Sequence, residues 1–198
     1  MTQIVRPTRP IMPGGKPKHN ASPRIKEMLR VDHAGEYAAV AIYDAQSKVF
    51  GAKVFGRSPK TRKISQQLAQ MRDEEQEHLD AFDALLLENN TRPTALIGLW
   101  KVASTGLGIG TALMGEKAAH ACTEAVESVI EKHYAEQIEE TKDSNPELCA
   151  TFTKFREDEL RHHDTAIKHG AKQAPAYPLL SAVIKAGCKT AIKLSEKI

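Results

Sequence analysis

Apolar side chains recur at helical spacing through four long stretches of this chain, and no stretch alternates convincingly as a β-strand. Ser22-Pro23 supplies a helix cap and a first-turn proline, after which Leu29, Val40 and Tyr43 predict a helix running to about Val49. Ser58-Pro59 repeats that start signal. Ile64, Leu68, Met71, Leu79, Phe82 and Leu86 then continue an apolar stripe to the breaker Asn89-Asn90. Glu116 to about Thr141 forms a third helix by the same spacing. Asn145-Pro146 opens a fourth that runs to a C-cap at Gly170, and Pro175 and Pro178 introduce a final segment.

Two further segments are apolar without being long amphipathic helices. From Pro93 to Met114 the only charge is Lys101, but Gly98, Gly106, Gly108 and Gly110 interrupt the run. Its length approaches that of a membrane span. The lysine and the glycines argue instead for a segment lying in the interface or folded as a hairpin. In the last segment Leu179, Leu180, Val183, Ile184, Ala191, Ile192 and Leu194 form an apolar side, while Lys185, Lys189, Lys193 and Lys197 offer cations to anionic lipid. A helix packed on the core would carry the same apolar side. The expected fold class is all-α: a four-helix bundle with additional apolar, membrane-associating helices over residues 23–198, preceded by a Pro-rich basic tail over residues 1–22.

Composition narrows the class further. The 198 residues suit one domain, and 41% hydrophobic with 27% charged residues is ordinary for a soluble globular chain. Lys and Arg total 28 against 25 Asp and Glu, with Arg6, Arg9, Lys16, Lys18 and Arg24 all preceding the first acid, Glu27. The helices mix both signs, which argues against a nucleic-acid partner. Cys122, Cys149 and Cys188 are far apart and form no Cys-x-x-Cys, so neither a disulfide framework nor a zinc site is expected. The first residues lack the apolar core of a secretory signal, and five prolines from Pro7 to Pro23 disfavour a transit-peptide helix. A cytoplasmic protein, attached peripherally to the cytoplasmic face of a membrane, is expected.

The candidate chemistry lies in the second and fourth helices. Glu75 with His78, and Glu159 with His162, are each a Glu-x-x-His, the spacing that sets a carboxylate and an imidazole on one helix face. With 17 Glu and 8 His in the chain, chance yields about 0.7 such pairs, so two on different long helices are informative. Both pairs lie along apolar stripes. Glu36, in register with Asp32, Val40 and Tyr43, and Glu127, with Thr123, Ile130 and Tyr134, complete a set of four glutamates and two histidines. One Glu from each of two helices and a Glu-x-x-His from each of the other two is the ligand pattern of ferritin-like di-iron and di-manganese bundles. Four carboxylates in a bundle core need a counter-charge, and two divalent cations supply it. Oxygen and imidazole ligands without thiolate favour iron or manganese, and two iron ions per chain are expected.

Some members remain interchangeable by spacing. Glu124 or Glu131 can replace Glu127, and Glu157 or His163 sits beside the second motif. The competing interpretation is a solvated charged face, since Glu74, Glu77, Asp80 and Asp83 crowd Glu75.

The segments Arg30-Val31-Asp32-His33-Ala34-Gly35-Glu36-Tyr37, Glu74-Glu75-Gln76-Glu77-His78, Ala121-Cys122-Thr123-Glu124-Ala125-Val126-Glu127, His133-Tyr134, Asp158-Glu159-Leu160-Arg161-His162-His163-Asp164 and Ala174-Pro175-Ala176-Tyr177 occur in that order. Together they resemble the demethoxyubiquinol hydroxylases of ubiquinone biosynthesis, over roughly residues 24–198. The resemblance implies that Glu36, Glu75, His78, Glu127, Glu159 and His162 bind the metal, which selects Glu127 over its neighbours. It implies a di-iron monooxygenase that hydroxylates the ring of a demethoxyubiquinol (2-polyprenyl-3-methyl-6-methoxy-benzoquinol type) with O2, and it places His133 and Tyr134 near the quinone path. Asp32 and Asp164 are expected to support the ligands. The expected partners are a polyprenyl quinol, O2, membrane lipid, an electron donor, and a lipid-presenting protein or a second copy of the chain. A ferritin-like iron-storage or peroxide-scavenging protein would share the metal site, and a non-enzymatic membrane scaffold would need none. Substrate dependence and metal content separate the three.

Overall fold

A computed structural model describes residues 20–52 and 58–198, so most of the expected N-terminal tail lies outside the described residues. Among the described residues there are six α-helices, one short 3-10 turn and no strand. The helices are α1 (Pro23–Gly51), α2 (Pro59–Glu88), α3 (Ile97–Leu113), α4 (Glu116–Thr141), α5 (Pro146–Lys168) and α6 (Tyr177–Lys197).

Local chemistry accounts for most of the boundaries. Ser22 Oγ accepts from the Ile25 amide at 3.3 Å, Ser58 and Thr61 form a reciprocal capping box, and Asn145 Oδ1 accepts from the Leu148 amide at 3.2 Å. Each cap is followed by a proline that has no amide hydrogen to leave unpaired. α5 ends at Lys168, and Gly170 then takes a left-handed φ of 87°, as a helix stop requires.

α1 packs on α2 and α4 on α5, and α4 also contacts α6, α3 and α1. Near its start α4 is buried all round, from Ala118 to Glu127. The apolar core comprises four clusters, two of which flank the middle of the bundle. One part joins Met28, Leu29, Phe82, Leu86, Tyr134, Leu148, Phe152 and Phe155; the other joins Ala39, Tyr43, Phe50, Ile64, Leu68 and Met71 with Ala112 and Ala119. In sequence, the candidate ligands of α1, α2 and α4 fall between the residues of these two parts, and those of α5 follow Phe155. A polar belt therefore crosses the bundle between two apolar layers.

α3 and α6 lie against this bundle, α3 along α1 and α6 along α4. The segment expected to lie in the interface or to fold as a hairpin is a single helix, so the hairpin does not form; of its glycines Gly108 serves packing. A Cβ on Gly108 would fall 2.6 Å from the Ile42 carbonyl oxygen, whereas at Gly98, Gly106 and Gly110 it would meet nothing within 4 Å. α3 turns Ser104, Gly108, Thr111 and Ala112 inward and leaves Val102 72%, Leu99 56% and Leu113 52% exposed. That is the reverse of a helix facing water. α6 is split between two faces, which corrects the expectation of a single apolar side. Ile184 is buried and Lys185 is tied to Glu124 at 2.9 Å, while Leu179 and Val183 are 67% and 61% exposed. No helix among the described residues is long and apolar enough to cross a membrane.

Candidate metal centre

All six expected ligands meet in the polar belt. Glu36 comes from α1, Glu75 and His78 from α2, Glu127 from α4, and Glu159 and His162 from α5; each is at least 97% buried. Their neighbours separate from them as helical geometry demands. Asp73, Glu77 and Asp80 are exposed while Glu75 is fully buried, so the solvated-face interpretation fails. Glu124 is also buried, but it faces α6, accepting from Lys185 Nζ and from Ser181 Oγ. Glu131 pairs with Arg156 at 3.1 Å, Glu157 is exposed, and His163 lies 3.3 Å from Asp164. Of the interchangeable candidates, only Glu127 joins the cluster.

The donor atoms sort into two groups of four, each lying within 4.8 Å of one another: Glu36, Glu75, His78 and Glu159, and Glu75, Glu127, Glu159 and His162. Glu75 and Glu159 belong to both. His78 Nδ1 sits 3.3–3.5 Å from oxygens of Glu36, Glu75 and Glu159, and His162 Nδ1 sits 2.8 Å from Glu75. Both carboxylate oxygens of Glu75 and of Glu159, and Nδ1 of both histidines, are buried without a hydrogen-bond partner. Native interiors rarely leave six polar atoms unsatisfied at one point. A pair of cations would satisfy all of them, so these residues fit a two-metal group with three carboxylates and one imidazole around each ion.

Proton affinities tell the same story. Burial drives the Glu36 and Glu127 carboxyls above the usual range, reinforced at each by the charge of Glu159. Burial alone would lower His78 and His162, but the surrounding carboxylates prevail and raise both, His162 to about 12. Without a metal the belt retains protons as its counter-charge.

Two tyrosines and two acids hold the cluster in place. Tyr134 donates a short hydrogen bond to Glu36, and Tyr43 donates one to Glu127. Each hydroxyl stays protonated because burial raises it well above its ordinary value. The outer nitrogens of the histidines reach carboxylates: His78 Nε2 to Asp158 at 3.1 Å, and His162 Nε2 to Glu74 at 2.7 Å. Such contacts fix ring orientation and the identity of the free nitrogen. Asp32 and Asp164, expected in this role, do not play it. Asp32 accepts from Gln137 at 2.9 Å and lies 3.3 Å from His133 Nε2, and Asp164 is exposed beside His163. The missed pattern was present in the chain. An acid immediately precedes the glutamate of each Glu-x-x-His, and a tyrosine follows each single glutamate by seven residues.

A cavity of about 320 Å³ opens onto one side of this cluster, between α3 and α6 over α1 and α4. Its wall is largely apolar, with Ile42, Trp100, Leu107, Ile130, Val183 and Ile184. The polar groups it meets are Asp32, Glu36, Ser104, His133, Tyr134 and Ser195. Trp100 Nε1 donates to Ser195 Oγ at 3.0 Å, joining α3 to α6. An apolar chamber with a few convergent polar groups is the usual form of a small-molecule site. Of the six candidate ligands, Glu36 alone reaches it.

The helical architecture and the buried double carboxylate–histidine cluster define a class, an all-α protein with a core site able to hold two metal ions. The chain belongs to the family described as ubiquinone biosynthesis protein COQ7, whose pattern matches residues 23–195. It is 47% identical over 174 residues to a Rhodospirillum rubrum protein named 3-demethoxyubiquinol 3-hydroxylase, covering 88% of this chain and 78% of that one. It is 45% identical over 177 residues to the Mus musculus protein named NADPH-dependent 3-demethoxyubiquinone 3-hydroxylase, mitochondrial, covering 87% and 77%. With the Caenorhabditis elegans protein of the same name the identity is 40% over 187 residues, covering 91% and 95%.

Proposed function

We propose that this chain is a 3-demethoxyubiquinol 3-hydroxylase acting in ubiquinone biosynthesis, with two iron ions held by Glu36, Glu75, His78, Glu127, Glu159 and His162. The observation that carries the reading is the contact between the two-metal cluster and an apolar cavity through Glu36. Iron storage needs no such chamber beside the metal, and a scaffold needs neither. When bound, the iron pair supplies reductive activation of O2, by which one oxygen atom enters the quinol ring and the other leaves as water.

The protein's own residues position and enclose. Asp158 and Glu74 orient the histidines, and Tyr134 and Tyr43 hold Glu36 and Glu127. The apolar wall holds the quinol ring and keeps water from it. His133, whose Nε2 is paired with Asp32, lines the cavity and is the group that would hold a proton from the quinol hydroxyl. Burial lowers the basicity of His133, but Asp32 outweighs it and raises the group overall.

The polyprenyl tail of the substrate resides in a bilayer, and the outward apolar faces of α3 and α6 flank the same cavity. This supports peripheral attachment through Leu99, Val102, Leu179 and Val183, with the exposed Lys189, Lys193 and Lys197 near lipid headgroups. The test is mass-spectrometric detection of hydroxylated product after mixing the iron-loaded, reduced protein with a short-chain demethoxyquinol and oxygen-18 gas, with Glu159→Ala as control. Label in the product of the wild type only is expected. Absence of product despite two bound irons per chain would favour storage or peroxide chemistry.

A further inference from the structure

A second cluster of metal-binding side chains lies away from the polar belt, at the start of α4. Glu116 is the first residue of α4, His120 lies one turn further on, and His169 caps the end of α5. One donor atom from each lies within 4.8 Å of the others, and the Glu116 carboxylate reaches His169 Nδ1 at 4.0 Å. The two imidazoles face each other with centroids 4.8 Å apart. His120 is fully buried, yet neither of its ring nitrogens has a hydrogen-bond partner. A buried imidazole keeps at least one N–H to donate and one lone pair to fill, so this double vacancy calls for a ligand. Burial, helped by neighbouring His169, pushes His120 down to about 4, which leaves the ring in the neutral form that metals bind.

We propose that Glu116, His120 and His169 form a separate site for a single borderline dication such as zinc. Two imidazoles and one carboxylate, with a fourth position open to solvent through the partly exposed His169, is a donor set that zinc accepts and that hard cations such as magnesium do not prefer. Lys60 Nζ lies 2.8 Å from Glu116 Oε2, which leaves the other carboxylate oxygen to face the histidines. The ion would join the beginning of α4 to the end of α5, tying the two helices together beyond the catalytic belt.

The protein as purified, with its metals counted beforehand, is incubated with zinc, desalted, and assayed for zinc and iron together by elemental mass spectrometry. Wild type is expected to retain one additional zinc per chain with its iron unchanged, and to melt at a higher temperature for it. His169→Ala and Glu116→Gln change groups at the surface and are expected to fold. They should bind this zinc about 100-fold more weakly or less well still, with iron content and hydroxylation unaltered. Zinc retained only in proportion to iron lost, or retained equally by wild type and His169→Ala, would overturn the proposal.

Discussion

Replacing Gly108 by alanine probes the packing that forms one wall of the cavity. The added Cβ would lie 2.6 Å from the Ile42 carbonyl oxygen, 3.1 Å from Ile42 Cα and 2.9 Å from Ala45 Cβ. Two of these atoms are α1 backbone, so no rotamer change relieves them. Reaching ordinary contact at 3.4 Å requires α3 and α1 to part by about 0.8 Å. Interiors packed at crystal density resist such a movement, and overpacking of this kind costs about 1–3 kcal/mol. Alanine also removes the helix penalty of glycine, an opposing gain of about 1 kcal/mol. Gly106→Ala provides the control, because its Cβ would meet nothing within 4 Å and it collects the propensity gain alone. The difference between the two variants therefore isolates packing. Gly108→Ala is expected to unfold at a urea midpoint about 0.5–1.5 M below that of Gly106→Ala, taking a denaturant slope of about 2 kcal/mol per M. Leu107 lines the cavity, so the same substitution should raise KM for a short-chain quinol without changing metal content. Equal midpoints for the two variants would refute the close seat of α3 on α1.

Asp158→Asn and Glu74→Gln each weaken the carboxylate that orients a histidine, and each should reduce iron affinity about 10–100-fold in a chelator competition while the fold survives. The metal-free protein should lose stability as pH rises. Glu36 and Glu127 have folded-state values raised above 4.5, and His78 and His162 have values raised above 6.5, in the case of His162 to about 12. Groups raised on folding stabilise fully below their unfolded values and cease to do so as pH climbs through the folded ones. Denaturation across that window should show the decline in metal-free protein and not in loaded protein, where the cations replace the protons. Val102→Asp and Val183→Asp change side chains that are 72% and 61% exposed, so stability should stay within about 0.5 kcal/mol. Flotation with anionic liposomes should nevertheless fall sharply if these faces meet lipid.

What could be foreseen from the chain depended on whether the deciding physics was local. The cap-and-proline starts of α1, α2 and α5 rest on chemistry within four residues, and they fall where expected. The Glu-x-x-His pairs work the same way, since three residues of helix fix both side chains on one face. Glu127 could not be separated from Glu124 by burial, because α4 is enclosed on every side and both are buried. Only the partner helix decides: Lys185 and Ser181 of α6 claim Glu124. The continuity of α3 was hidden for a similar reason. A glycine that breaks a helix and one that admits a neighbouring backbone look alike until α1 is in place. The cavity belongs to no single segment, being the space that four helices leave between them.

The centre is built almost symmetrically, and its surroundings are not. Glu36 with Tyr43 and the α2 motif repeats as Glu127 with Tyr134 and the α5 motif. The partners cross over: Tyr134 serves Glu36 and Tyr43 serves Glu127, while Asp158 serves His78 and Glu74 serves His162. Each half is thus held by the other, which makes the belt rigid enough to keep unsatisfied donors at one point. The cavity breaks this equivalence. It touches Glu36, Tyr134 and the Asp32–His133 pair but not Glu127 or His162. On the proposed reading, the quinol meets the cluster at Glu36, and Glu127 and His162 lie away from it. A nearly symmetric set of ligands thus has one of its members, Glu36, turned to the chamber that α3 and α6 leave beside α1 and α4.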